Sequence, residues 1–266
     1  MKKKIKVILW PIIYLVLIIN VCISFILVFR SYYFKSIFVS GTSMEPTLHG
    51  SGGYVDYGII DDHKSAKNNI ERFQIITTYY PFSDSHDYTK PYEHGGVNII
   101  DEHESSYKIK RVYGLPGETI KFTIDDDALE AARTKPADSE EFSYYSNKAL
   151  QFSVKAKNGN SFVPQKLNFK RIINVNPLKI EAYRDYEYEL GYDEYWVMGD
   201  NYNTSSDCFS KKAPIYYDNI VGVLIAIEGQ CKIVYENNNN THDGGEDGTK
   251  VSYKCTNKKK HFPVFY

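Results

Sequence analysis

Tyr107-Lys108-Ile109-Lys110-Arg111-Val112-Tyr113-Gly114-Leu115-Pro116-Gly117-Glu118-Thr119-Ile120-Lys121-Phe122-Thr123-Ile124 reads as a strand, a tight turn and a second strand. β-Branched and aromatic residues fill both arms. Between them, Gly-Leu-Pro-Gly is turn chemistry, because proline presets φ and glycine accepts the positive φ that many turns need. Alternate side chains of an extended chain share a face, so Lys108, Lys110 and Val112 point the same way. A strand that turns Val112 inward turns Lys110 inward too, although lysine is among the residues least often buried.

The same short, β-rich texture recurs at 37–39, 53–57, 73–80, 152–155, 194–198 and 220–227, with turn residues between the segments. Helical periodicity is confined to 126–133 and 68–73. This pattern predicts a mainly β body. Residues 125–190 are polar and irregular and lie between two strands, so they are expected to form an inserted cap subdomain on a catalytic β domain made of 30–124 and 191–235. Four consecutive asparagines at 237–240, followed by a Gly-Gly pair, predict that 236–266 is a flexible polar tail.

Residues 7–29 run for 23 positions without a charge, which is long enough to span a bilayer as one helix. Lys2, Lys3, Lys4 and Lys6 precede the run, and only Arg30 and Lys35 follow closely. The excess of basic residues on the N-terminal side puts residues 1–6 in the cytoplasm and the rest of the chain outside the cell membrane. A cleaved secretory leader fits less well. Its apolar core would span about 7–15 residues and end at small residues, whereas Ser31-Tyr32-Tyr33-Phe34-Lys35 is bulky.

The bulk numbers narrow the function further. With 266 residues, 42% hydrophobic and 24% charged, the chain has the composition of a folded protein, and the 24 tyrosines are expected mostly in core and strand positions. A net charge of −1 points away from nucleic acid. The four cysteines show no spacing that suggests a metal site. With Cys22 in the apolar segment, Cys208, Cys231 and Cys255 allow one disulfide or none, and the sequence does not choose between them.

Two further strings stand beside Lys110-Arg111-Val112-Tyr113-Gly114-Leu115-Pro116-Gly117. Gly41-Thr42-Ser43-Met44-Glu45-Pro46-Thr47-Leu48 follows the 37–39 segment, and Gly199-Asp200-Asn201-Tyr202-Asn203-Thr204-Ser205-Ser206-Asp207 follows 194–198. Each taken alone is an ordinary turn. A chance match to Ser-Met-x-Pro-Thr-Leu in a chain of this size is on the order of 10⁻⁴.

In this order the three strings resemble the bacterial type I signal peptidases, with a Gram-positive-like pattern. Asn219-Ile220-Val221-Gly222 is similar to that family's closing strand. The resemblance implies a signal-peptidase-like β-sheet or barrel catalytic domain with a cap and one transmembrane helix. It also implies a serine endopeptidase that needs no cofactor, acts as a monomer at the lipid bilayer, and cleaves signal peptides from preproteins after a small-x-small sequence. Ser43 falls on the nucleophile and Lys110 on the general base. Ser205 falls on a serine that orients the lysine, and Asp207 on a structural aspartate. Val39, Met44 and Ile109 are expected to line shallow substrate pockets. Residues 37–40 are expected to pair with the extended substrate.

Elementary chemistry supports the pairing of Ser43 with Lys110. A serine hydroxyl needs a base, and a neutral amine can serve. Lysine is normally charged, with about one in 2,500 neutral at pH 7, so burial must lower its pKa. An Asp207 carboxylate in direct contact would raise it, which is why Asp207 is assigned to structure. The Ser43 N–H is the expected oxyanion donor. The second donor is left open, since Gly41 stands where many relatives have serine and Thr42 and Ser40 are weak candidates.

The chain departs from the family in three places. Tyr202 and Phe209 replace arginines, which leaves Arg111 as the nearest expected partner for Asp207. Glu71-Arg72-Phe73-Gln74 replaces a strand start that normally reads Arg-Gly-Asp. Two rival readings fit the residues less well. A self-cleaving repressor-type regulator predicts a DNA-binding helix pair that the sequence lacks, and a catalytically inactive membrane-anchored binding protein of the same fold is expected to lack Ser43 or Lys110.

Overall fold

The computed structural model describes residues 2–79, 107–136, 139–168, 170–171, 180–237, 249–255 and 264–265. Helix α1 (Lys2–Tyr33) carries the apolar run. Trp10–Arg30 is long and apolar enough to cross a membrane, and none of it is buried against the rest of the chain. Pro11 sits within the helix, where its ring removes one backbone donor. The helix leads straight into strand β1 (Phe34–Phe38), so the Ser43 loop is tethered a few residues from the apolar helix. An Arg30–Glu228 ion pair, Lys35 on Asp62 at 2.6 Å and Tyr33 stacked on His63 hold that junction.

The body is mainly β, as expected. Strands β2 (Tyr54–Asp61), β3 (Ile75–Tyr79), β4 (Tyr107–Gly114), β9 (Glu194–Met198), β10 (Ile215–Tyr216) and β11 (Ile220–Asn237) join β1 in a curled half-barrel sheet ordered β1-β2-β11-β3-β4-β9-β10. Strand β11 is the spine. Its 18 residues pair with β2 and β3, and register shifts at Leu224/Ala226 and Ile227/Gly229 let it bend as the sheet curls. Strands β5 (Thr119–Ile124), β6 (Leu150–Lys155), β7 (Val163–Pro164) and β8 (Glu187–Glu189) form a second, four-stranded sheet. The Gly-Leu-Pro-Gly turn thus passes the chain from one sheet to the other, and β5 belongs to the smaller sheet.

Helices α3 (Asp126–Arg133) and α4 (Glu140–Ala149) lie between β5 and β6 and are capped by the side chains of Asp125 and Ser139. Helix α3 falls where the periodicity predicted it. The helix expected at 68–73 is displaced: α2 is Lys64–Asn68, and Phe73 takes a left-handed φ of 70° that no helix interior accepts.

Part of 236–266 also differs from the expected flexible tail. Strand β12 (Thr249–Lys254) pairs with the end of β11, β13 (Val264–Phe265) pairs with Ala226 and Ile227, and a Cys231–Cys255 disulfide joins β11 to the residue after β12. Tyr80 of the expected 73–80 strand, residues 238–248 and 256–263 of the tail, and 137–138, 169 and 172–179 of the expected cap lie outside the described residues.

Two apolar clusters position the site. One, including Tyr113, Phe122, Phe152, Trp196 and Phe209, fills the space between the two sheets. The other packs Val39, Met44 and Leu48 against Ile60, Ile75, Leu224 and Ile227 inside the curl of the main sheet. Burial of Met44 and Leu48, on either side of the turn after Ser43, fixes the Ser43 loop to the sheet. Each such side chain contributes about 1.5–3 kcal/mol.

Candidate active site

The 41–48 loop and strand β4 meet at one point. Lys110 Nζ lies 2.9 Å from Ser43 Oγ and 3.1 Å from the Ile109 carbonyl. Arg111 is the first residue of β4 that pairs with β9, so before it, at residues 107–110, the β4 edge is open to the loop. Lys110 is 2% exposed and shares the sheet face of Ile76 and Val112, as alternation predicts. Burial lowers its pKa to about 8. The Asp207 charge opposes that shift and the nearby Lys108 charge assists it. At this value about one amine in ten is neutral at pH 7, roughly 200-fold more than for a free lysine.

The loop itself is built by close backbone contacts. Gly41 adopts φ +84° while its N–H bonds the Gly50 carbonyl, closing the turn that presents Ser43. The Ser43 carbonyl accepts from the Asn201 N–H at 3.0 Å. A Cβ on Gly199 would collide with that carbonyl and with the Ser205 hydroxyl, so the 199–207 turn needs glycine there. Among the described residues the Ser43 N–H has no hydrogen-bond partner and remains available to an oxyanion. Thr42 is not placed as a second donor, because its hydroxyl donates to Thr204 Oγ1 at 2.9 Å. Ser40 is exposed at the cleft wall.

Two expected contacts are not formed. Lys110 makes no hydrogen bond to Ser205, whose buried hydroxyl lies instead near the Asp207 carboxyl. Arg111 does not pair with Asp207. It forms a bidentate pair with Asp200, Nε to Oδ1 at 2.8 Å and Nη2 to Oδ2 at 2.6 Å. Asp207 is otherwise employed. It caps helix α5 (Cys208–Lys211) by accepting from the Ser210 N–H, and it accepts from the Gly199 N–H at 3.0 Å. Burial pushes its carboxyl pKa up, while the nearby Ser205 hydroxyl and the Gly199 N–H pull it down.

Asp200 is the residue that the sequence reading missed. Fully buried, it also takes a hydrogen bond from the Thr47 hydroxyl, so one carboxylate ties the Ser43 loop to the residue next to Lys110. Arg111 Nη1 in turn donates to the Phe73 carbonyl at 2.8 Å, which the left-handed Phe73 backbone makes reachable. Phe73 therefore occupies the conformation that a glycine in the usual Arg-Gly-Asp start accepts without cost. Its ring packs edge-on against Tyr113 and Phe152.

A cleft of about 660 Å³ opens on this pair and is lined by Val39, Met44 and Ile109, with Ile37, Ile60 and Val221 beyond them.

The profile of the family described as "Signal peptidase, peptidase S26" matches residues 12–227. The chain belongs to the S26 signal peptidase family. Signal peptidase I of Bacillus licheniformis is 25% identical to it over 182 residues, which cover 68% of this chain and 69% of that protein. Membership makes this signal peptidase a serine hydrolase whose substrates are preproteins bearing signal peptides, and the N-terminal apolar helix fits a membrane-anchored member.

The two missing arginines of this signal peptidase are replaced by an aromatic cluster. Phe209 stacks on Tyr183 and packs against Phe122 and Tyr186. Tyr202 bonds the Tyr113 hydroxyl at 3.0 Å and stacks on Tyr183. The cation beside Tyr202 is the buried Arg171, which also donates to the carbonyls of Asn147 and Leu150. Aromatic packing thus supports the 199–207 turn alongside the Arg111–Asp200 ion pair.

Proposed function

We propose that this signal peptidase cleaves preproteins after a small-x-small sequence, with Ser43 as nucleophile and neutral Lys110 as general base. The 2.9 Å approach of a buried amine to the serine hydroxyl carries this reading. Lys110 takes the Ser43 proton as Oγ attacks the scissile carbonyl, and the Ser43 N–H meets the oxyanion. The resulting ammonium protonates the departing amine. The neutral amine then activates the water that hydrolyses the acyl-enzyme.

Val39, Met44 and Ile109 form the wall that admits small side chains and excludes larger ones by contact. Residues 37–40 and the open β4 edge flank the extended substrate and pair with it as added strands. Ser205 and Asp207 shape the base's surroundings, Ser205 orienting the amine once substrate closes the site. The 125–190 region acts as a cap over the catalytic β domain.

The enzyme acts as a monomer in the cell membrane, with residues 1–6 in the cytoplasm and the catalytic domain outside. The lysines before the helix support that orientation, and so does the Cys231–Cys255 disulfide, which belongs to an oxidising compartment. An inactive binding protein is not favoured, because such a protein has no use for a buried lysine placed on a serine.

The pH profile tests the reading. The base must be unprotonated, so kcat/KM for a preprotein should rise with pH through an apparent pKa of about 8. A profile with no ascending limb in that range contradicts it.

A further inference from the structure

Adjacent threonines on β3 differ in one respect. Thr78 Oγ1 donates to the carbonyls of Tyr79 and Asn219, at 2.8 and 3.0 Å. Thr77, 2% exposed, has no hydrogen-bond partner for its buried Oγ1 among the described residues. Thr77 also lines the catalytic cleft. It sits in the sheet between Ile109 and Gly222, and Val39, Met44, Ile60, Ile109 and Val221 are among the apolar residues that line the same cleft. A buried hydroxyl left unpaired is destabilising, and a valine of the same shape would avoid that cost.

We propose that Thr77 is a specificity residue that recognises a hydroxyl-bearing small residue, serine before alanine, upstream of the scissile bond. The inference rests on the peptidase reading above and narrows its substrate class. In an extended substrate beside β4, alternate side chains turn toward the face that carries Ile109 and Thr77. A serine there completes the bond that Thr77 lacks, and rotation about χ1 exchanges the threonine methyl and hydroxyl to present the latter to the cleft. An alanine fits the same space and leaves the hydroxyl unpaired. Sites built around a hydrogen-bonding group discriminate against ligands that lack its partner.

The test is a set of preproteins in which each residue between the scissile bond and the apolar core of the signal peptide is in turn alanine or serine. Full-length enzyme in detergent micelles is assayed on the whole set. At one position the wild type should favour serine by about fivefold in kcat/KM. Thr77→Val should remove that preference, and Thr77→Ser, which keeps the hydroxyl, should retain it. A uniform response to serine at all positions, or a preference that survives in Thr77→Val, overturns the inference. Failure of the wild type to cleave any member of the set overturns the peptidase reading instead.

Discussion

Lys110→Met should abolish preprotein cleavage and at the same time make the folded enzyme more stable. Removal of a general base that acts together with its nucleophile costs about 10⁴-fold or more in kcat. Ser43→Ala should cost as much, and the double variant should be no worse, because the two side chains act as a unit.

The stability half of the prediction follows from the amine's burial. Its folded pKa of about 8 lies below the ordinary 10.5, so between those values the unfolded chain holds more protons and stability rises with pH. Below pH 8 the penalty is complete and amounts to about 3 kcal/mol. Methionine keeps the volume and has no charge to desolvate. Thermal unfolding in detergent at neutral pH should show a midpoint several degrees above wild type. A less stable Lys110→Met protein would mean that the amine is a stabilising charge and not a suppressed one.

Asp200→Ala should be the most damaging substitution outside the Ser43–Lys110 pair. Asp200 and Arg111 are both buried, and loss of the carboxylate leaves the guanidinium charged and unpaired on its Asp200 side. Breaking one side of a buried pair costs about 3–5 kcal/mol. For a domain of this size that lowers the unfolding midpoint by roughly 10 °C. The Thr47 anchor goes with it, so the variant should also lose kcat at temperatures where it remains folded. Asp200→Asn keeps the shape and part of the hydrogen bonding, and should fall between Asp200→Ala and wild type in both measurements. An Asp200→Ala enzyme with wild-type kcat and midpoint would show that the carboxylate does not position the loop.

The sequence made the local features legible and concealed the pairings between distant segments. Strands 119–124 and 194–198 and helix 126–133 coincide with the structure because texture, turns and caps all act within a few residues. Lys110 was legible as inward-facing because the period of a strand fixes its face. Helix α4 left a signal that was missed, with Ser139 as N-cap and Phe142 and Ala149 on one buried face, but the buried Ser146 interrupts the apolar stripe.

Arg111 was assigned the wrong aspartate for a physical reason. Asp200 and Asp207 lie seven residues apart in one turn, and only the fold shows that Asp207 is occupied as a helix cap. The misplaced helix at 68–73 has a similar cause. Nothing local predicts that Phe73 accepts a left-handed backbone, because the compensation comes from Tyr113, Phe152 and the Arg111 hydrogen bond. The choice among cysteines was likewise settled by β11–β12 pairing, a contact between remote segments.

Direct titration of the Lys110 amine is the sharpest test of the account. With lysine labelled with ¹³C at Cε, the Lys110 resonance can be assigned by its loss in Lys110→Met and followed against pH in the micelle-bound enzyme. The midpoint should be about 8. A midpoint near the ordinary lysine value would show an ammonium beside Ser43, and the base proposed here would not exist.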